Sequence, residues 1–179
     1  EGDAGQTMDT QNPAMGEDWA TFACAAPADV DRAIAAARRA LNDPAWRDMT
    51  QTKRGKLLYR LAELIEENAQ ELGRLETTDS GKLLAETSTQ TAYVGDYYRY
   101  YAGLADKIEG AVLPIDKPDM HVFTRREPIG VVVAIVPWNA QMFLTATKLG
   151  PALAAGCAVV LKASEVAPAP MLAFAKLIE

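Results

Sequence analysis

The chain has 179 residues, enough to bury a sizeable core, and about half of them are apolar. Its net charge of −6 argues against a nucleic-acid backbone as partner. No apolar run approaches the roughly 20 residues that a membrane span requires, so a membrane partner is not expected.

Residues 1–10 are small and polar and are expected to form a disordered segment or an arm, with a turn at Asn12, Pro13 and Gly16. Asp18 to Ala25 reads as a short strand. Asp29 suits an N-cap behind Pro27, and Val30, Ala33, Ile34, Ala37 and Leu41 then recur at helical spacing until Asn42-Asp-Pro44 stops the helix. From about Thr52 a second helix is signalled by Leu57, Leu58, Leu61, Leu64, Ile65, Leu72 and Leu75 on one face. Its short basic start, Lys53, Arg54 and Lys56, reads as solvated. A break follows at Thr77 to Gly81. A third helix then carries Tyr93, Tyr97, Tyr101 and Leu104 in one stripe, which is expected to pack into the core. Val112 to Ile115 and His121 to Arg126 flank a Lys-Pro-Asp turn and read as a hairpin, with His121 at a surface or an interface.

Ile129 to Val136 is almost entirely β-branched or small, without polar alternation, which is how a strand covered on both faces reads. Pro137 cannot donate to a ladder, so the strand ends there and delivers Trp138 and Asn139 beyond its carboxyl end. Gln141 to Ala155 reads as a crossover helix closed by Gly156, and Cys157 to Leu161 as a second buried strand. Together they make one right-handed βαβ unit, whose second strand ends in Lys162, Ser164 and Glu165. Open α/β sheets bind ligands at that edge.

Two readings of each polar group stay open on spacing alone. Asn139 is either a neutral donor aimed at charge developing on a carbonyl oxygen or the cap of the next helix. Lys162 and Glu165 are either a clamp for a diol or a surface ion pair. A carboxylate at that place repels a 2′-phosphate and tilts a dinucleotide preference toward NAD, while the Ser164 hydroxyl could accommodate the phosphate. No G-x-G-x-x-G phosphate loop follows either strand. The two cysteines, Cys24 and Cys157, stand in alanine-rich surroundings and read as buried free thiols suited to a reducing compartment, hence a cytoplasmic protein.

Pro137-Trp138-Asn139, Lys148-Leu-Gly-Pro-Ala-Leu153 and Lys162-Ala-Ser-Glu165, in this order and spacing, resemble the aldehyde dehydrogenase superfamily. The likeness extends upstream through Asn12-Pro13-Ala14-x-Gly16, the helix with Asp31 to Arg38, Asp79-Ser-Gly-Lys82 and Arg126-Glu-Pro-Ile-Gly130, and so covers nearly the whole chain. The fold it implies is α/β: amino-terminal helices (1–109), a protruding β-hairpin used for oligomerisation (110–128) and the first βαβ unit of an atypical Rossmann-like parallel sheet (129–179).

The activity it implies is NAD(P)-dependent oxidation of an aldehyde to a carboxylic acid through a cysteine thiohemiacetal. On that resemblance Asn139 is the oxyanion donor, and the main chain of Ile135, Val136, Pro137 and Trp138 lines the cofactor groove beside Lys162, Ser164 and Glu165. The cofactor is NAD, with NADP as the variant, no metal is implied, and a homodimer or homotetramer forms through the hairpin. The family's nucleophilic cysteine and its water-activating glutamate match no position here, so the chain reads as the amino-terminal part of a larger enzyme, inactive and poorly soluble alone. A CoA-acylating or semialdehyde-specific relative, or a non-catalytic nucleotide-binding or subunit-association fragment, is the alternative. The helix face at Ala140, Leu144 and Thr147, with Gln141 where proline is common in the family, implies a tunnel wide enough for bulky aldehydes.

Overall fold

The computed structural model describes residues 5–178, so the first four positions of the expected amino-terminal arm lie outside the described residues. Instead of continuing as an arm, the chain forms strand β1 (Thr7–Asn12), paired antiparallel with β2 (Glu17–Ala23). Polar composition misleads here because the hairpin is held through a buried carboxylate. Asp79 accepts from Thr10 Oγ1 at 2.6 Å, from Trp19 Nε1 at 3.1 Å and from the backbone N–H of Ala169 at 2.7 Å. Buried polar groups satisfied in this way can order a strand that lacks an apolar face.

Helix α1 (Pro27–Asn42) starts two residues before the expected cap. Proline occupies its first position, where a missing N–H costs nothing, and Asp29 sits in the first turn, accepting from the Ala26 N–H at 2.7 Å. A single turn, α2 (Pro44–Arg47), leads to α3 (Gln51–Glu67), whose cap is Thr50. The long leucine pattern is in fact two helices, because Asn68 interrupts it before α4 (Ala69–Ser80). Leu57, expected on the apolar face, is exposed. Gly81, at φ 77°, closes α4 in the left-handed conformation that glycine tolerates best.

The tyrosine stripe is displaced. In α5 (Leu84–Leu104) the buried positions are Thr87, Thr91, Val94, Gly95, Tyr98 and Ala102, while Tyr93 and Leu104 are exposed. Backbone proximity sets the face. A Cβ on Gly55 of α3 would stand 2.7 Å from the Ala102 carbonyl oxygen, and one on Gly95 would meet the Glu66 carboxylate at the same distance. Only the face with small residues at the crossings can approach α3, so Tyr98 goes inward; Tyr97 keeps an edge contact with Phe143, ring centres 5.7 Å apart.

A short hairpin follows, β3 (Val112–Leu113) with β4 (Val122–Phe123), with His121 exposed beside it. Strand β5 (Val131–Ile135) then pairs in parallel with β6 (Ala158–Lys162), joined by α6 (Gln141–Ala154); α7 (Ala169–Ala175) ends the described chain. The architecture is the expected α/β arrangement. Ala134 and Val136 enter the core with Met142, Ala146, Leu149, Tyr98 and Phe174. The expectation of a strand covered on both faces is not met within this chain: Val133 and Ile135 are 53% and 66% exposed, since nothing among the described residues lies over that face near the carboxyl end.

Arg54 also departs from expectation. It is 7% exposed rather than solvated, donating to the Ala154 carbonyl at 3.2 Å and lying over the Trp46 ring. A cation at the last carbonyls of α6 is favourably placed against the helix dipole. Cys157 is buried and Cys24 half-buried, both as free thiols. No helix among the described residues is long and apolar enough to cross a membrane.

Candidate functional site

The register of the parallel pair fixes what stands side by side. Val131 faces Ala158 and Ile135 faces Lys162, and one further bond, Val136 N–H to the Lys162 carbonyl at 3.1 Å, carries the pairing to the end of both strands. Neighbouring strands lie about 4.8 Å apart. Pro137 ends the first ladder, so Asn139 follows β5 by four residues and Glu165 follows β6 by three, both at the carboxyl edge.

Asn139 and Trp138 are exposed, the tryptophan by 49%. The capping alternative for Asn139 does not hold in the structure, because the N-cap of α6 is Ala140 and no side chain of that turn caps the helix. The Asn139 amide makes no hydrogen bond to another group among the described residues. It is a neutral donor on a strand end, available to an acceptor.

Lys162 Nζ donates to Glu165 Oε2 at 2.6 Å, and both side chains are more than half exposed. That hydrogen bond holds the Glu165 carboxyl below the ordinary glutamate range. Lys162 keeps further N–H donors and Glu165 its other oxygen, so the couple offers a donor and an acceptor side by side, the complement of a vicinal diol. Ser164 is placed differently: it is 7% exposed and its Oγ accepts from the Val166 N–H at 3.3 Å, so it shapes the turn that presents Glu165. Ile135 closes β5 beside Lys162, Val136 is buried, and Pro137 and Trp138 are exposed.

Two groups stand behind this edge: Gln141, whose sequence position suggested only a wider tunnel, and Glu76, to which sequence reasoning assigned no role. Gln141 is fully buried, and its side-chain amide donates to the Ala167 carbonyl, tying the first turn of α6 to the loop that carries Glu165. Glu76 of α4 is 1% exposed, and Lys82 Nζ stands 3.8 Å from its Oε1. Burial pushes the Glu76 carboxyl above the ordinary glutamate range, against the pull of Lys82. A signal for Glu76 was available, since it lies four residues beyond Leu72 on the apolar face of the leucine pattern.

A cavity of about 980 Å³ lies at the other end of the strands, where Pro128 and Gly156 enter β5 and β6, and it holds none of these groups. Ligands of open α/β sheets bind at the carboxyl ends of the strands, where the polar groups stand. Among the described residues no cluster of three or more His, Cys, Asp or Glu could hold a metal ion.

The fold recurs in solved structures. Betaine aldehyde dehydrogenase of Staphylococcus aureus, solved in complex with NAD+, superposes with a TM-score of 0.96 at 37% identity, over 99% of this chain and 35% of that one. In sequence, the chain is 60% identical to (Z)-2-((N-methylformamido)methylene)-5-hydroxybutyrolactone dehydrogenase of Acinetobacter baylyi, over 99% of this chain and 36% of the relative. It is 44% identical to an aldehyde dehydrogenase of Enchytraeus buchholzi, over 98% of this chain and 36% of the relative. The chain thus spans little more than a third of the length of these relatives. The sequence profile of the aldehyde dehydrogenase family matches residues 1–179. With the strand-end asparagine, the lysine–glutamate couple and this fold in place, the chain belongs to the aldehyde dehydrogenase family.

Proposed function

We propose that this chain forms the oxyanion arm and the adenosine-ribose clamp of an enzyme that oxidises an aldehyde to a carboxylic acid with NAD. The observation that carries the proposal is the pairing of an exposed, uncommitted Asn139 at the end of β5 with the Lys162–Glu165 couple at the end of β6. When bound, NAD supplies the hydride acceptor. Asn139 donates to the carbonyl oxygen as negative charge develops there, an interaction typically worth about 3 to 4 kcal/mol. Glu165 accepts from one ribose hydroxyl and Lys162 donates to the other, while the main chain of Ile135, Val136, Pro137 and Trp138 forms the wall of the groove. Ser164, turned inward, does not offer its hydroxyl to a 2′-phosphate, and the Glu165 carboxylate repels one, so NAD is preferred to NADP.

Two further points follow from the same reading. The partly exposed α6 face at Ala140, Leu144 and Thr147 carries no aromatic side chain, which suits a bulky aldehyde. The relative at 60% identity is itself named for a substituted hydroxybutyrolactone. Exposed Val112, Phe123 and Met120 on the β3–β4 hairpin give a homodimer or homotetramer its contact. The free thiols suit the reducing cytoplasm.

The test is an aldehyde panel assayed with NAD and with NADP on the full-length protein that contains these residues. Acid formation with NAD, fastest with bulky aldehydes, is the expected result. Activity confined to acetaldehyde-sized substrates would remove the tunnel reading, and absence of activity across the panel would favour a subunit-association role.

A further inference from the structure

The loop from Ser164 to Ala169, between β6 and α7, presents Glu165 and Val166 to solvent and is tied down from behind at three points. Gln141 Nε2, on α6, donates to the Ala167 carbonyl. Asp79 Oδ2, near the end of α4, accepts from the Ala169 N–H at 2.7 Å. Thr10 Oγ1, on β1, donates to Asp79 Oδ1 at 2.6 Å and stands 3.3 Å from the Val166 carbonyl oxygen. Trp19 Nε1 donates to the same Asp79 oxygen at 3.1 Å. Thr10, Asp79 and Gln141 are 2%, 1% and 0% exposed, so these bonds are closed to water. Among the described residues no cation pairs with Asp79. A buried carboxylate costs desolvation that a neutral side chain avoids. What it provides is two acceptor oxygens that meet three donors at once, whereas an amide would point an NH₂ at one of them.

We propose that Asp79, with Thr10, is a positioning residue for cofactor binding: it fastens the Ser164–Ala169 loop to α4 and to the amino-terminal hairpin, and so sets where the Glu165 carboxylate stands against Lys162 and the adenosine ribose. This rests on reading Lys162 and Glu165 as the ribose clamp. The side-chain hydrogen bonds of Asp79 and Thr10 do not reach β5 or α6, so the Asn139 end of the site is not carried by them. Gln141 stands two residues after Asn139 and would disturb both ends, which leaves Asp79 and Thr10 as the clean probes. The anchor also bears on cofactor choice. Glu165 repels a 2′-phosphate only while it is held at the ribose, so a released loop weakens NAD binding and relieves the penalty on NADP together.

The experiment uses the full-length protein with Asp79→Asn, Thr10→Val, Thr10→Ser, Glu165→Ala and the Asp79→Asn/Glu165→Ala double variant. NAD affinity is measured by fluorescence quenching, kcat with saturating NAD and aldehyde, cofactor preference as the ratio of kcat/KM for NAD and NADP, and hydrogen–deuterium exchange over residues 164–169 without cofactor. Asp79→Asn and Thr10→Val, which keep the shape of the side chain, are each expected to weaken NAD binding at least about fivefold, with kcat within about twofold of the parent. Both are expected to speed exchange over residues 164–169 and to narrow the preference for NAD at least about threefold. Thr10→Ser, which keeps the hydroxyl, is expected to bind NAD within about twofold of the parent. The double variant is expected to bind NAD no more weakly than Glu165→Ala alone, because a residue that acts only through Glu165 has nothing left to position.

If Asp79→Asn does not fold, Thr10→Val alone and combined with Glu165→Ala takes its place, with the same split between NAD affinity and turnover expected. Parent-like NAD affinity in Asp79→Asn, or in Thr10→Val where that replaces it, overturns the proposal. So do losses that multiply in the double variant, kcat falling in step with NAD affinity, or a Thr10→Ser variant as impaired as Thr10→Val. An unimpaired Glu165→Ala overturns the ribose-clamp reading instead and takes the positioning role with it, so the two failures are told apart.

Discussion

Arg54 shows how much a buried charge depends on groups distant in sequence. Arg54 reads as solvated in a basic run, yet its guanidinium closes the far end of α6 at the Ala154 carbonyl, and Gly156 at φ 90° leaves it room where a Cβ would stand 2.9 Å away. The role of Arg54 is not visible locally, because the Ala154 carbonyl it closes lies 100 positions later. Asn139 was legible as far as its position, since Pro137 must end the strand; that it caps nothing became clear only from the structure.

Glu76 also carries a pH prediction. Its folded pKa is raised above the ordinary value of 4.5, chiefly by burial. The native state therefore binds the proton more tightly than the unfolded state. The associated stability is complete below about pH 4.5 and is lost as pH rises through the folded value. Lys82 and the Gln141 and Met142 N–H groups oppose the shift, and Glu86 adds to it. Glu76→Gln cannot titrate, so its melting temperature relative to the parent is expected to rise between pH 4.5 and 8, measured at several pH values. A difference that stays flat over this range would contradict the assignment.

At the scale of elements, the order of helices and strands was largely readable from periodicity and from proline and glycine punctuation. Faces were not. Hydrophobic spacing alone offered Tyr93, Tyr97, Tyr101 and Leu104 as the buried side of α5, but close helix crossings decided for Val94, Tyr98 and Ala102. The contact at Gly55 makes this testable. Gly55→Ala gains about 1 kcal/mol of helix propensity, but its methyl meets the Ala102 carbonyl oxygen at 2.7 Å. Overpacking of this kind costs about 1 to 3 kcal/mol, so a net loss is expected in denaturant melts. A stabilised Gly55→Ala protein would show that α3 and α5 do not approach so closely.

The whole molecule leaves one region bare. Ile129, Ile135, Val133 and Val166 are all more than half exposed, and all belong to or flank the two-stranded parallel sheet. Parallel sheets are stable when covered, and relatives of this chain are nearly three times its length. Residues 1–179 produced alone are therefore expected to bind a hydrophobic dye, to associate and to show no dehydrogenase activity. A monomeric product that melts cooperatively would count against this. The hairpin gives a parallel test in the full-length protein: Phe123→Asp, on a side chain 64% exposed, is expected to lower the oligomeric mass measured by light scattering, and an unchanged mass would place the subunit contact elsewhere.

The proposed function divides the labour between two strand ends, with charge stabilisation on one and cofactor grip on the other. Steady-state kinetics of Asn139→Ala and Glu165→Ala in the full-length protein measure it directly. Asn139→Ala is expected to lower kcat by about 100- to 1,000-fold with the KM for NAD little changed, and Glu165→Ala to raise the KM for NAD with kcat largely kept. Both variants losing the same parameter, or Asn139→Ala keeping its turnover, would contradict it.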